Sequence, residues 1–249
     1  RPTRCMVKMN WAPMGAEATG GLGVAPWPAG TYARPMPRPL PSGIEAVLFD
    51  FGGVILTSPF DAFNAYEADA GLPPDTIRRI NSTNPDDNAW ARFERRQVDA
   101  DEFGRLFEAE AAAQGYIVDA ARIMEGLHGT LRPTMVEALR RCADRLRTGM
   151  LTNNITPIGS QLFSDDVLEV VGLFDALIQS SVEGCRKPEP RIYEIACERL
   201  GVEPSVCVFL DDLGVNLKPA RAMGMTTIKV VDPEEAIAEL EAVVGFPLG

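Results

Sequence analysis

The sequence predicts an α/β fold: a parallel sheet with a small α-helical cap inserted after the first strand. Three observations predict it. Short apolar runs at 46–49, 149–151 and 206–210 each end on a polar residue, namely Asp50, Thr152 and the pair Asp211-Asp212. Buried strands of parallel sheets read as such runs. Segments with helical spacing separate the runs, and strands that alternate with helices imply βαβ units. Finally, the stretch at 60–128 has helical spacing without a strand pattern, directly after the first run.

Taken in order, residues 1–43 are rich in Pro, Gly and Ala and include the run Pro35-Met36-Pro37-Arg38-Pro39-Leu40-Pro41. Such a stretch builds no packed core and is expected to be an extended or disordered tail. It has neither the apolar centre of a secretory signal nor the amphipathic pattern of a transit peptide. The α/β core is expected over 44–59 and 129–249, with the cap at 60–128. Cap helices are expected at 60–70, 75–81 and 99–114, with turn signals at Gly71-Leu72-Pro73-Pro74, Asn84-Pro85 and Gly115. Pro133 opens a helix running to Arg145, and a strand leads on to Thr152. Residues 173–178 read as a strand, and 189–200 as a helix closed by Gly201. After the third apolar run come a helix at 216–223 stopped by Gly224, a strand at 226–231, and a last helix at 236–244 with no fused domain expected beyond it.

Composition narrows the function. The chain has 249 residues, 46% of them hydrophobic, enough for a sizeable core, and its net charge is −11. That charge argues against non-specific binding to nucleic acid or anionic membrane, and it leaves room for a locally positive pocket. The five cysteines are odd in number and form no CxxC pair, so neither a disulfide framework nor a zinc site is indicated. A reducing, cytoplasmic compartment fits. No run reaches the ~20 apolar residues of a membrane span. His128 is the sole histidine, which rules out a histidine-based triad; near the end of the cap it reads as structural.

In open α/β sheets, ligands bind outside the carboxyl ends of the strands. Asp50, Thr152, Asp211 and Asp212 should therefore gather on one rim, joined by Lys187 from the segment Cys185-Arg186-Lys187-Pro188-Glu189-Pro190. Acids, a hydroxyl and an ammonium together suit a divalent cation and a phosphate. Each residue also has an ordinary reading. Asp50 fits a nucleophile, and equally an Asp that merely ends a strand. Asp211-Asp212 fit hard oxygen ligands, or a helix N-cap. Thr152, Asn153 and Asn154 fit phosphate donors, or turn chemistry. Most lysines are simply solvated. Trp90 and Phe93 fit core packing, the pairs Arg95-Arg96 and Arg140-Arg141 fit exposed helix faces, and Ser58 and Ser181 have no paired base.

Four segments in this order resemble the haloacid dehalogenase superfamily, whose members are mostly phosphatases with a Rossmann-like core. They are Leu48-Phe49-Asp50-Phe51-Gly52-Gly53-Val54, Leu151-Thr152-Asn153-Asn154, Arg186-Lys187-Pro188-Glu189-Pro190-Arg191-Ile192-Tyr193, and Phe209-Leu210-Asp211-Asp212-Leu213-Gly214-Val215-Asn216. The resemblance covers roughly 44–232. It is strongest to the subgroup that holds the N-terminal domain of soluble epoxide hydrolase and the corresponding domain of a fused acyl-CoA dehydrogenase. It implies a phosphorylated small-molecule substrate and Mg2+. It also implies Asp50 as nucleophile, Thr152 and Lys187 as phosphate binders, and Asp50, Asp211, Asp212 and the Gly52 carbonyl as metal ligands. Asn154 and Asn216 would support phosphate or backbone geometry, and Asn153 and Asn154 stand with Thr152 and Lys187 as the substrate-binding candidates.

One departure matters. Family phosphatases usually carry a second Asp two residues after the nucleophile, as general acid and then base, and here that position is Gly52. General acid–base catalysis contributes about 10²–10⁴-fold, so the loss should slow turnover and favour leaving groups that are stable as anions. A Gly52→Asp change would restore activity on alkyl esters, or would fail if Gly52-Gly53 needs backbone angles forbidden to Asp. Two rival readings are a metal-independent dehalogenase and a binding domain built on a decayed site.

Overall fold

The computed structural model describes residues 40, 42–125, 127, 129–154 and 164–249. The expectations for 1–39 and for His128 lie outside them. Leu40, assigned above to the tail, is partly buried against the core.

Five parallel strands form one sheet: β1 (Ala46–Phe49), β2 (Arg147–Thr152), β3 (Ala176–Gln179), β4 (Cys207–Asp211) and β5 (Thr226–Lys229), in the order β3-β2-β1-β4-β5. Alternate residues face opposite sides of a strand. Val47 and Phe49 of β1 pack into one apolar layer with α6 (Pro133–Arg145), α7 (Asp165–Val171) and α11 (Pro233–Val244). Ala46 and Leu48 face the other layer, with α9 (Pro190–Leu200) and α10 (Gly214–Ala222). The four residues of β1 are fully buried, as its apolar run requires. The chain runs from β1 outward to β2 and β3, then crosses to β4 on the other side of β1. The strand order thus reverses between β1 and β4, and the crevice at such a switch point is where open α/β sheets bind ligands.

Five helices follow β1 after an irregular turn, Phe51–Ile55: α1 (Pro59–Asp69), α2 (Thr76–Ser82), α3 (Ala89–Glu94), α4 (Ala100–Ala113) and α5 (Ala120–Glu125). They share an apolar cluster of their own, in which Phe103 stacks on Phe93 at 4.5 Å and meets Trp90 edge-on at 4.9 Å. Trp90 and Phe93 are therefore core residues. Side chains of Ser58, Asn88 and Asp99 accept from backbone N–H groups at the starts of α1, α3 and α4, supplying the partners that helix ends lack. The two connections to this helical insertion run side by side: the Thr57 N–H donates to the Thr130 carbonyl and the Arg132 N–H to the Ile55 carbonyl.

Several expected boundaries shift. Helices α3, α5, α7 and the one-turn α8 (Ser180–Glu183) were not anticipated, because at four to seven residues they show no period of their own. Strand β3 begins at Ala176 instead of 173; the Asp175 N–H already donates to Thr148, and Leu173 and Phe174 close the turn after α7. Helix α10 starts at Gly214, two residues early. Strand β5 stops at Lys229, and Val231 is exposed.

Gly149 of β2 fits because it has no side chain. A Cβ there would lie 2.6 Å from Leu48 Cδ2 and 3.1 Å from Leu200 Cδ1, both in the closed layer beneath α9. Overpacking such a layer typically costs about 1–3 kcal/mol. Gly149→Ala is expected to lower stability by about that amount, read as a lower urea midpoint at unchanged slope.

Candidate active site

Asp50 follows β1, and Asp211 ends β4. Because Phe49 lies opposite Leu210 in register, the two carboxylates meet at the same rim. Lys187 reaches between them. Its Nζ lies 2.8 Å from Asp50 Oδ2 and 2.7 Å from Asp211 Oδ2, and the side chain is 1% exposed. The ring of Phe209 lies under the ammonium, 5.6 Å from its centroid.

Each group is held by others. Asp50 Oδ1 accepts from the Phe51 N–H at 2.7 Å. Asp211 Oδ1 accepts from the Leu213 N–H at 2.8 Å, and Asn216 Nδ2 spans both Asp211 oxygens at 3.0 and 3.1 Å. Tyr193 Oη donates to the Asn216 carbonyl at 2.7 Å. Asp211 is thus held from several sides inside the site, and helix α10 is capped at Leu213 without a side-chain bond, so the N-cap reading of Asp211-Asp212 fails. Asp212 is the least committed acid, accepting from Ser58 Oγ at 3.4 Å.

Asp50, Asp211 and Asp212 can each present an oxygen within 4.8 Å of the others. Three carboxylates against one ammonium leave two negative charges in a largely dry crevice. Burial drives the Asp50 carboxyl well above its usual value, the Lys187 charge opposes that shift, and Asp211 and Asp212 add to it. Burial and then Asp211 push Asp212 up to about 6. Burial pulls the Lys187 ammonium down, but Asp211 and Asp50 overcome it and leave its pKa raised. A donor set of hard oxygens with two charges in excess suits a divalent cation such as Mg2+.

Asn153 and Asn154 do something other than present their side chains outward. Asn153 clamps the Lys187 backbone: Nδ2 donates to the Lys187 carbonyl at 3.0 Å, and Oδ1 accepts from the Lys187 N–H at 2.8 Å. Asn154 ties to the end of β3, with Nδ2 donating to Gln179 Oε1 and Oδ1 accepting from Ser181. Thr152 is buried at the end of β2, on the same rim.

The two glycines differ. Gly53 has φ +81°, and a Cβ there would strike the Asp212 carboxylate. Gly52 has φ −71° and ψ 131°, open to any residue, and a Cβ would meet only Pro59 Cδ at 3.7 Å. Of the two alternatives for Gly52→Asp, forbidden backbone angles are thus not met at 52; only Gly53 is restricted.

A sequence profile of haloacid dehalogenase-like hydrolases matches residues 44–224. The chain belongs to this family. It is 36% identical over 211 residues to acyl-CoA dehydrogenase family member 10 of Mus musculus, covering 82% of this chain and 19% of that protein. Against the phosphatase MT3486 of Mycobacterium tuberculosis it is 32% identical over 192 residues, covering 73% of this chain and 85% of that one. Among solved structures, a family enzyme from Bacteroides thetaiotaomicron, in complex with magnesium and inorganic phosphate, matches with a TM-score of 0.50 at 20% identity, covering 75% of this chain and 94% of that one. The chain spans only about a fifth of the first of these relatives. No helix among the described residues is long and apolar enough to cross a membrane.

Ser58 was passed over in the sequence for want of a paired base; its partner is an acid 154 residues away. Arg95, read as part of an exposed helix face, is mostly buried and bound to Glu189. Arg140 and Arg141 do lie on an exposed face.

Removing one partner from a buried ion cluster leaves uncompensated charge and costs about 3–5 kcal/mol. Lys187→Met is expected to destabilise the metal-free protein on that scale at pH 8, by chemical denaturation. The loss should shrink towards pH 5. Without the ammonium, the folded-state carboxyl pKa values rise further above the unfolded value, so the native state binds more protons and loses stability as pH climbs. Equal losses at both pH values would contradict the burial of this cluster.

Proposed function

We propose that this chain is a Mg2+-dependent phosphatase of a small phosphorylated metabolite, working through an aspartyl-phosphate on Asp50. The observation that carries the reading is the cluster of Asp50, Asp211 and Asp212 around Lys187, with two negative charges in excess. Family membership supports hydrolysis, the similarity to a phosphatase supports phosphate esters, and the bound magnesium and phosphate of the Bacteroides enzyme support the cofactor. The described cysteines are free thiols, which supports a cytoplasmic setting.

Asp50, Asp211 and Asp212, with the Gly52 carbonyl, would hold Mg2+, which would offset phosphate charge and keep Asp50 ionised. A carboxylate oxygen of Asp50 attacks phosphorus, the ester oxygen leaves with its electron pair, and a phosphoryl group stays on Asp50. The bond from Phe51 N–H and the ion pair with Lys187 fix the carboxylate's rotation before attack. Lys187 and Thr152 bind phosphate oxygens, while Asn153 and Asn154 hold the loops that carry them. Water then attacks phosphorus and frees Asp50 and inorganic phosphate. Gly52 offers no carboxyl group, so the leaving oxygen takes its proton from solvent.

Hydrolysis of an aryl phosphate is expected with Mg2+, and Asp50→Asn should fall to the uncatalysed background. If wild type and mutant are equally inert, the chain is a binding domain; chloride release from a 2-haloacid without Mg2+ would make it a dehalogenase. Mg2+ at 100 times its Kd should stabilise the protein by about 2.7 kcal/mol, seen as a higher Tm; no shift would contradict a metal site.

Turnover is expected to fall steeply as the leaving group becomes less acidic. Since the backbone at 52 accepts any residue, Gly52→Asp is expected to raise kcat on alkyl phosphates by about 10²–10⁴-fold and to change aryl phosphates much less. Equal turnover of aryl and alkyl esters by the wild type would contradict the missing acid.

A further inference from the structure

Lys187 stands between two residues that both reach across to the helical insertion. Arg186 Nε pairs with Glu94 Oε2 at 2.5 Å, and its NH1 donates to the Pro85 carbonyl at 3.1 Å. Glu189 Oε1 accepts from Arg95 Nε and NH2 at 2.8 and 2.6 Å, while Arg95 NH1 donates to the Asp86 carbonyl at 2.9 Å. The charges cross: acid then base at the end of α3, base then acid around Lys187. The side chains of Glu94, Arg95 and Arg186 are only 15–17% exposed. Exposed ion pairs typically contribute little. Here Glu189 is 37% exposed, but its Arg95 partner and both members of the Glu94–Arg186 pair are sheltered, and both arginines are also bonded to carbonyls, so the pairs act as joints.

The segment around Lys187 is thus gripped from both sides. Asn153 holds its backbone from the core, and Glu94 and Arg95 hold its flanks from the insertion. A four-bond ammonium is floppy by itself, so the placement of Nζ between Asp50 and Asp211 depends on how firmly residues 186–189 are anchored.

We infer that Glu94 and Arg95 are positioning residues: through Arg186 and Glu189 they lock the insertion onto the Lys187 segment and set the ammonium against Asp50. The functional half rests on the role proposed for Lys187; the locking itself does not. Neither residue touches the reacting atoms. The arrangement makes closure of the insertion and placement of Lys187 one event, because opening α3 away from the core breaks both pairs at once.

The test mutates the insertion and reads the core. Glu94→Gln, an isosteric loss of charge, and Arg95→Gln, which removes the guanidinium, are followed by amide hydrogen exchange of the full chain without metal or substrate. The reporters are the Lys187 N–H, which donates to Asn153 Oδ1, and the Glu189 N–H, which donates to the Arg186 carbonyl. Each variant is expected to speed exchange at both amides by about tenfold or more, as local opening becomes easier, while β1 and β4 amides stay at the wild-type rate. Arg95→Lys, which keeps a charge but not the fork, should fall between Gln and wild type. Exchange at 187 and 189 unchanged in both Gln variants would overturn the inference. So would equal acceleration throughout the sheet, which would mean general destabilisation. In steady-state assays with an aryl phosphate, each Gln variant should lose kcat with KM nearly unchanged, since a misplaced ammonium weakens the transition state more than the ground state. Loss confined to KM would overturn the positioning role. A wild type inert on every phosphate would defeat the proposed function and leave the exchange result standing.

Discussion

A single ammonium between two buried carboxylates organises the functional end of this protein. Asp50 and Asp211 belong to adjacent strands and would repel each other across a dry crevice. Lys187 Nζ, under 3 Å from both, makes the arrangement tolerable. Much of the surrounding structure serves that contact: Asn153 grips the Lys187 backbone, Asn216 and the Leu213 amide steady Asp211, and the Phe51 N–H holds the second oxygen of Asp50. The compensation is incomplete, since Asp212 adds a third carboxylate. That surplus links the fold to the chemistry proposed for it, because a divalent cation would offset it.

The sheet supplies the geometry that makes this possible. Reversal of strand order between β1 and β4 opens the crevice where Asp50 and Asp211 emerge, and a wholly apolar β1 fixes their register. Gly53 lets the Asp212 carboxylate come close, while Gly52 leaves a gap in the chemistry with no need in the backbone. The absence of an acid at 52 is therefore a matter of reactivity, free of steric compulsion.

Much of this was legible in the sequence because local patterns carried it. Continuous apolar runs marked β1, β2 and β4, and Pro133 and Gly201 marked the ends of α6 and α9. The acids brought together at the rim were named from the ends of the same runs, and Lys187 from the segment at 185–190 between two of them. What stayed hidden depends on long-range pairing. Arg95 looked like any surface arginine until Glu189, 94 residues on, was placed against it. Asn153 and Asn154 looked like phosphate donors, but their amides face inward to Lys187 and Gln179. Ser58 showed no partner, since its neighbour Asp212 arrives from β4. Short helices such as α3 escaped because their anchoring lies in the aromatic cluster they join, not in their own periodicity.

The most direct measurement is acid-quenched mass spectrometry of the peptide containing Asp50, after brief incubation with Mg2+ and an aryl phosphate. The account predicts one phosphoryl group on Asp50, labile to hydroxylamine and absent when Mg2+ is withheld. Phosphate release with the label on any other side chain, or with no covalent label under conditions that trap acyl phosphates, would contradict it.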